Sequence, residues 1–255
     1  MSEDAVLFEA RPDGIAVITL NRPETRNCLS AEVRAGLFVA WERFETDPAL
    51  RVAVLTGTGR TFCAGGDLKE MVATGMAVPP RDMFPLPYDT VELSKPTIAA
   101  VNGAAFAGGW MIAQACDLCV ASTEASFAVT EVKVGRSSPW AAPLIHMIPQ
   151  RIMMEILLTG KPIDARRAYE IGLVNRLAEP AELLPVALEL ARGIAEAAPL
   201  SVRAARDTVM LATEMGRAAA LQAARHAAVP CYESADAQEG PLAFAEKRTP
   251  RWIGR

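Results

Sequence analysis

The chain has 255 residues, of which 51% are hydrophobic and 22% are charged, a composition that excludes disordered and fibrous proteins. Lys and Arg together number 26 and Asp and Glu number 30, so the net charge is −4, and no broad basic surface is available for nucleic acid or an anionic membrane. We therefore expect a globular protein with no nucleic-acid partner and no membrane partner.

Cysteine usage and uncharged segments indicate where the protein works. Five cysteines are an odd number in a long chain, which is typical of a reduced, cytoplasmic protein. The first residues, Met1 to Asp4, show neither the basic nor the apolar part of a signal peptide. The longest uncharged run, 96–116, is interrupted by Asn102, Gln114 and glycines, and we interpret it as a buried α/β segment and not as a membrane span.

The first half of the chain alternates between apolar strand patterns and helical patterns, which predicts parallel βαβ units. Segment 75–88 contains four prolines and is predicted to be a mobile surface loop. The predicted elements in chain order are a hairpin of strands 6–9 and 15–20, a helix capped by Ser30 and running to about residue 44, strand 52–56, a short helix 68–73 capped by Asp67, strand 97–101, helix 108–116, and strands 118–121 and 126–129.

Beyond residue 140 the pattern is helical almost throughout. Residues 1–200 are predicted to form a strand-rich α/β core, and residues 201–255 a helical C-terminal region. The predicted elements of this part are helices 150–159, 164–171, 181–197, 199–215, 218–229 and 240–248, with one short strand at 173–176.

Two glycine-rich junctions follow predicted buried strands. Segment 62–68 reads FCAGGDL and segment 102–109 reads NGAAFAGG. Glycine lets backbone N–H groups approach a ligand closely, and a helix start directs free N–H groups towards it. Two such junctions on adjacent strands can direct two N–H groups at one oxygen, which is the arrangement of an oxyanion hole. The alternative is a pair of tight turns that only pack closely.

These two motifs together resemble the oxyanion-hole motifs of the crotonase (enoyl-CoA hydratase/isomerase) superfamily. Further matches follow in order along nearly the whole chain, and the ending 240–248 most resembles the carnitinyl-CoA dehydratase branch. The supporting motifs are NRP at 21–23, NCL at 27–29, ACD at 115–117, TG at 159–160, IDA at 163–165 and AYEIGLVN at 168–175.

The resemblance implies a fold, a substrate class and an assembly. The fold is an α/β spiral of ββα turns with a helical C-terminal region, assembled as a homotrimer or a dimer of trimers. The substrate is an acyl-CoA thioester, so coenzyme A is part of the substrate and no separate cofactor is expected. Gly66 and Gly108 are the positions that match the two oxyanion-hole donors.

At one catalytic position the chain departs from the hydratase pattern. Hydratases have a glutamate one turn after the second oxyanion glycine, where this chain has Met111, and Met cannot transfer a proton. The second hydratase glutamate is matched by Glu131, which can act alone as an acid and base if burial raises its pKa. A replacement acid can come from the mobile segment, where Asp82, Asp89 and Glu92 are the nearest candidates, although each can instead be simply solvated.

The resemblance also places substrate contacts. Near the coenzyme A end they are Arg26, Cys28, Ala64, Asp67 and Leu68, and from the C-terminal end Phe244 and Lys247, in relatives sometimes from a neighbouring subunit. Phe244 can instead pack within its helix. In the loop after Glu131, Arg136 and Trp140 can shape the acyl pocket, although Arg136 can instead pair with a surface acid.

No metal site is expected. Cys116 and Cys119 form a CxxC motif without a second pair, and His146 and His226 have no ligand partner at helical spacing. Three readings remain open: enoyl-CoA chemistry of the isomerase or atypical hydratase type, another enolate reaction such as decarboxylation, or a catalytically weak acyl-CoA-binding homologue.

Overall fold

A computed structural model describes residues 4–75 and 78–255 of the chain. Residues 1–3, which belong to the segment read for a signal peptide, and residues 76–77 of the predicted surface loop lie outside the described residues. Among the residues described, none of the helices combines the length and the hydrophobicity needed to span a bilayer.

The strands form two sheets. The larger has the order β1-β2-β3-β5-β7-β10, in which only β1 runs antiparallel to its neighbour. The smaller has the order β4-β6-β8-β9, with β4, β6 and β8 parallel and β9 antiparallel. The strands are β1 (Val6–Ala10), β2 (Ile15–Leu20), β3 (Val52–Gly57), β4 (Thr61–Cys63), β5 (Thr97–Val101), β6 (Ala104–Phe106), β7 (Leu118–Ser122), β8 (Ser126–Ala128), β9 (Ile163–Asp164) and β10 (Arg176–Ala178).

Helices surround the sheets and make up most of the C-terminal third. Two 3₁₀-helices, Glu131–Val134 and Pro139–His146, follow β8. The α-helices are α1 (Ala31–Thr46), α2 (Leu68–Thr74), α3 (Gly108–Gln114), α4 (Gln150–Thr159), α5 (Ala165–Glu170), α6 (Leu183–Ala195), α7 (Pro199–Glu214), α8 (Arg217–Glu233) and α9 (Asp236–Ala245).

The central strands β2, β3, β5 and β7 of the large sheet are largely buried on both faces, which explains their continuous apolar sequences. Alternate residues of β2 belong to different core clusters, because successive side chains of a strand point to opposite faces. Ile15 packs with α6 in one cluster, whereas Ile18 packs with Trp41 and Phe44 of α1 in the other. The predicted caps are confirmed, since Ser30 accepts a hydrogen bond from the Val33 N–H and Asp67 accepts from the N–H groups of α2.

A repeated order of long strand, short strand and helix organises the core. It occurs as β3-β4-α2 and β5-β6-α3, and β7-β8 is followed by the 3₁₀-helix Glu131–Val134. The long strands build the large sheet and the short strands build the small one. Each repeat therefore brings its helix start to the end of a short strand.

The structure differs from the sequence-based elements in three places. The short strands β4, β6 and β9 were not predicted, because two or three residues show no periodicity. The strand predicted at 173–176 lies at Arg176–Ala178. Leu173 belongs instead to the turn after α5, because its N–H donates a hydrogen bond to the Ala168 carbonyl. The helix predicted at 240–248 occupies Asp236–Ala245 and contains Pro241 in its interior.

Candidate active site

Three groups that the sequence singles out lie at one edge of the small sheet. Strands β4, β6 and β8 are parallel neighbours. Gly66 comes three residues after β4, Gly108 two residues after β6 and Glu131 three residues after β8. The carboxyl ends of parallel strands share one edge of a sheet, so the fold brings these residues together. The predicted strands 52–56 and 97–101 precede the glycine motifs as expected, and the short strands β4 and β6 lead directly into the glycines.

The first glycine loop is paired with the segment that precedes α1. The Ala64 N–H donates to the Arg26 carbonyl at 3.0 Å, and the Leu29 N–H donates to the Gly65 carbonyl at 2.8 Å. Gly65 has a φ of +100°, and a Cβ there would lie 2.9 Å from the Phe106 carbonyl oxygen. Glycine is required at this position because both the backbone conformation and the space exclude a side chain.

The second glycine junction packs directly on the first. A Cβ on Gly109 would lie 2.1 Å from the Cys63 carbonyl oxygen, so α3 approaches the end of β4 backbone to backbone. A Cβ on Gly108 would lie 3.5 Å from the Gly66 nitrogen. Gly108 is the first residue of α3, so its N–H has no acceptor within the helix. The two glycine nitrogens thus lie close together at the start of α3.

The residue before Gly108 has an unusual backbone conformation. Ala107 has a φ of 50° and a ψ of −119°, a region that non-glycine residues rarely adopt. Its N–H donates to the Ala128 carbonyl at 2.8 Å, which extends the pairing of β6 with β8. Strain of this kind is typical of functional sites, and here it turns the chain from β6 into α3.

Glu131 has two carboxylate oxygens in different environments. Oε1 accepts a hydrogen bond from the indole N–H of Trp140 at 2.9 Å. Oε2 is buried and has no hydrogen-bond partner in the part of the chain that the structure describes. Burial raises the pKa of Glu131 above the ordinary value of a glutamate, and hydrogen bonds from the backbone and from Trp140 oppose this rise only in part.

Met111 lies one turn after Gly108 and is 4% exposed. It belongs to the main hydrophobic core cluster, as expected for a thioether side chain in a helix that packs against the sheet. The position at which hydratases are expected to have a second carboxylate is therefore apolar.

The substrate contacts expected near coenzyme A lie together at the first glycine loop. Ala64 pairs with Arg26 as described, and Cys28 Sγ lies 3.7 Å from Asp67 Oδ2. Asp67 also caps α2, and Leu68, the first residue of that helix, is exposed. Arg26 is exposed.

The remaining expected contacts divide into two groups. Trp140 is in direct contact with Glu131, and Arg136 donates its backbone N–H to the Glu131 carbonyl at 2.9 Å. Phe244 is 87% exposed at the end of α9, so it does not pack within its helix, and the exposed Lys247 follows it. These last two residues are available to a partner molecule.

Two structural residues of the site were missed by the sequence analysis. The side-chain amide of the buried Asn27 donates to the Thr58 and Thr61 carbonyls, and its oxygen accepts from the Arg22 N–H. The guanidinium of Arg34 donates to the Leu29 carbonyl and forms an ion pair with Glu70 of α2. The motif NCL at 27–29 could have indicated the structural role of Asn27, whereas nothing in the local sequence around Arg34 indicates its ion pair.

The other candidate groups are exposed carboxylates and buried thiols. Asp82, Asp89 and Glu92 are all exposed. Cys116 and Cys119 are buried free thiols, and burial raises the pKa of Cys119 to about 12. Among residues 4–75 and 78–255 no cluster of three or more His, Cys, Asp or Glu side chains is placed to hold a metal ion.

Known proteins are similar to this chain in both sequence and fold. Residues 10–255 match the model of the protein family described as enoyl-CoA hydratase/isomerase. The (E)-benzylidenesuccinyl-CoA hydratase of Thauera aromatica is 42% identical, over 94% of this chain and 96% of the relative. The carnitinyl-CoA dehydratase of Escherichia coli K12 is 40% identical, over the full length of both chains.

A crystal structure of enoyl-CoA hydratase from Mycobacterium tuberculosis H37Rv superimposes with a TM-score of 0.91 at 40% identity, covering 99% of this chain and 100% of the other. The resemblance inferred from the motifs is thereby confirmed, as is the crotonase-like α/β fold with its helical C-terminal region. The chain belongs to the enoyl-CoA hydratase/isomerase family of enzymes.

Proposed function

We propose that this enzyme acts on an acyl-CoA thioester through an enolate that is held between the N–H groups of Gly66 and Gly108, with Glu131 as its single acid and base. The observation that carries the proposal is the shared edge of β4, β6 and β8, because Gly66, Gly108 and Glu131 each follow the carboxyl end of one of these neighbouring parallel strands.

The two N–H groups match the charge that such a reaction develops. Removing a proton from the carbon beside a thioester carbonyl transfers negative charge to the carbonyl oxygen. Two preorganised donors stabilise that charge more in the transition state than in the substrate, and each is typically worth about 3 kcal/mol. The packing of Gly109 on Cys63 keeps the two donors in place before substrate arrives.

Glu131 can remove and return the proton. A general base works best when its pKa is close to the operating pH, and burial moves the pKa of this carboxyl upward. One carboxylate suffices to move a proton between two carbons of an enoyl chain, because that reaction needs no bound water.

The relatives and Met111 point to different members of the same reaction class. The names of the relatives are those of a hydratase and a dehydratase, which add or remove water across a carbon–carbon double bond. Met111 offers no group to hold and deprotonate that water. We therefore propose double-bond isomerisation, or hydration and dehydration that depends on Glu131 alone, for a 2-enoyl-, 3-enoyl- or 3-hydroxyacyl-CoA.

The coenzyme A part of the substrate is proposed to lie at the paired segments 26–28 and 64–68. The charge-assisted hydrogen bond that a guanidinium makes to phosphate suits the exposed Arg26. Phe244 and Lys247 are proposed to reach the coenzyme from a neighbouring subunit of a trimer or a dimer of trimers.

A substrate panel tests the proposal. The purified enzyme is incubated with 2-enoyl-, 3-enoyl- and 3-hydroxyacyl-CoA esters, and products are followed by ultraviolet absorbance and mass spectrometry. Turnover of at least one class is expected, and Glu131→Gln should abolish it because the amide cannot accept the proton. If Glu131→Gln retains most of the activity, the assignment of the base is wrong.

The buried Met111 also favours a second candidate, an acyl-CoA-binding homologue with little or no turnover. Saturable binding of the same esters without product would support it. Loss of carbon dioxide from a carboxylated acyl-CoA would instead indicate that the enolate is used for decarboxylation.

A further inference from the structure

Trp140 contacts Glu131, the proposed base, from the 3₁₀-helix that follows the one containing Glu131. It lies nine residues after Glu131 in the 3₁₀-helix Pro139–His146. Its indole N–H donates to Glu131 Oε1 at 2.9 Å, while Oε2 is buried and unpartnered in the described part of the chain. One oxygen of the carboxylate is therefore held and the other is free to react.

The backbone of Trp140 is itself fixed to α3. The side-chain amide of Gln114 donates to the Trp140 carbonyl at 2.8 Å, and Gln114 is the last residue of the helix that begins at Gly108. Ala141 and Leu144 of the same 3₁₀-helix are buried in the main core cluster. The indole thus has a defined position relative to the helix start that carries the second glycine.

We propose that Trp140 is a positioning residue, which holds Oε1 of Glu131 so that Oε2 is the atom that takes and returns the substrate proton. The inference rests on the proposed function for the role of Glu131. A carboxylate turns easily about its terminal torsion, and a single hydrogen bond to one oxygen restricts that rotation. Proton transfer to a fixed carbon requires such an orientation, since small misplacements of a reacting group reduce rates strongly.

The same hydrogen bond has an electrostatic effect. The indole N–H stabilises the ionised carboxylate and so lowers the pKa of Glu131, against the rise caused by burial. Titratable side chains also lie near Glu131 along the chain and on the elements packed against it. They are Lys133 and Arg136 in and just after the 3₁₀-helix of Glu131, His146 in the next 3₁₀-helix, and Arg151 and Glu155 in α4. Burial is the largest cause of the raised pKa of Glu131, and hydrogen bonds from the backbone and from Trp140 lower it in part.

The test uses Trp140→Phe, which retains an aromatic ring of smaller size and removes the N–H donor. Glu131 is titrated by carbon-13 NMR of labelled glutamate carboxyls, with Glu131→Gln to assign its signal. The pKa of Glu131 should rise by about one unit, a tenfold change in its ionisation constant. The acid limb of kcat/KM should move to higher pH by the same amount, because the base must be ionised to react.

Two further variants separate positioning from packing. Trp252→Phe removes an indole N–H that donates to the Glu196 carbonyl, and it should leave the pH profile unchanged. Trp140→His keeps an N–H donor on a smaller ring, and it should raise the pKa of Glu131 less than the phenylalanine does. If Trp140→Phe were to misfold, Trp140→Leu, which also lacks a donor, would carry the same test.

The outcomes distinguish the two proposals. If the wild-type enzyme turns over acyl-CoA esters but neither the pKa nor the acid limb moves in Trp140→Phe, the positioning inference is overturned and the proposed function stands. If the pKa moves but no ester in the panel is turned over, the proposed function fails and the hold of Trp140 on Glu131 is still demonstrated.

Discussion

Met111 is the residue at which this chain departs most clearly from the hydratase pattern, and it can be tested alone. Met111→Glu places a second carboxylate one turn after Gly108 and should raise hydration of crotonyl-CoA by roughly 10²-fold, a usual contribution of a general base. The rate of hydration, followed by ultraviolet absorbance, measures the effect. Met111→Gln is the matched control, because it is polar and similar in size but cannot transfer a proton.

The rate at which the unmodified enzyme hydrates crotonyl-CoA tests whether a second acid is present. The unmodified enzyme is expected to hydrate crotonyl-CoA with a kcat below ~10² s⁻¹. A much faster rate would mean that a second acid acts in this enzyme, and Asp82, Asp89 and Glu92 are then the residues to replace.

The buried carboxyl of Glu131 should also make stability depend on pH. Its pKa is raised in the folded protein, so folding binds protons between the unfolded and folded pKa values. The contribution of this carboxyl to stability is therefore present at low pH and is lost as pH rises through the folded pKa. Glu131→Gln cannot titrate, so the unfolding free energy of wild type relative to this variant should fall with rising pH. Urea unfolding from pH 4 to pH 8 measures it, and a constant difference contradicts the prediction.

At the scale of secondary structure, the start of α3 is the critical element. Gly108→Pro removes the N–H proposed to bind the thioester oxygen and should lower kcat/KM on the order of 10²-fold or more. Proline also restricts the preceding residue, and Ala107 already has an unusual conformation, so thermal unfolding is measured on the same variant.

Gly108→Ala is the matched control for the loss of that donor. It retains the N–H, and its Cβ would lie 3.0 Å from Cδ1 at the far end of the Leu29 side chain. We expect a much smaller loss of rate than for proline. Equal losses in the two variants would show that crowding matters here and that the N–H does not.

At the scale of the whole molecule, the C-terminal helices expose much of their apolar surface. In α7 and α8, which the structure describes throughout, only Ala204 and Ala220 are buried. Leu221, Tyr232, Leu242 and Phe244 are more than half exposed. An ion pair of Arg206 with Asp117, beside Tyr88, ties α7 to the core. Large exposed apolar surfaces indicate association.

We predict that the protein assembles through these helices as a trimer or a dimer of trimers. Sedimentation at micromolar concentration should give a multiple of three times the 27.3 kDa chain. Tyr232→Arg, which places a charge on a side chain that is 79% exposed, should lower the assembled fraction. Sedimentation of wild type as a monomer alone would rule this assembly out.

Much of the fold follows from local sequence. The long strands β2, β3, β5 and β7 were predicted to within one residue, because buried parallel strands are continuous apolar runs. Ser30 and Asp67 were identified as caps because their side chains act on N–H groups two or three residues away. The presence of Glu131 and the absence of a second carboxylate at Met111 are properties of residue identity and needed no structure.

Tertiary structure alone decided how these residues meet. The short strands β4 and β6 depend on backbone pairing between segments more than 20 residues apart, so their own three residues carry almost no signal. The contact between Trp140 and Glu131 depends on a 3₁₀-helix held by Gln114, and the burial of Glu131 Oε2 depends on everything packed around it. Sequence determines which chemical groups are present, whereas long-range packing determines their distances, their burial and therefore the pKa of the base.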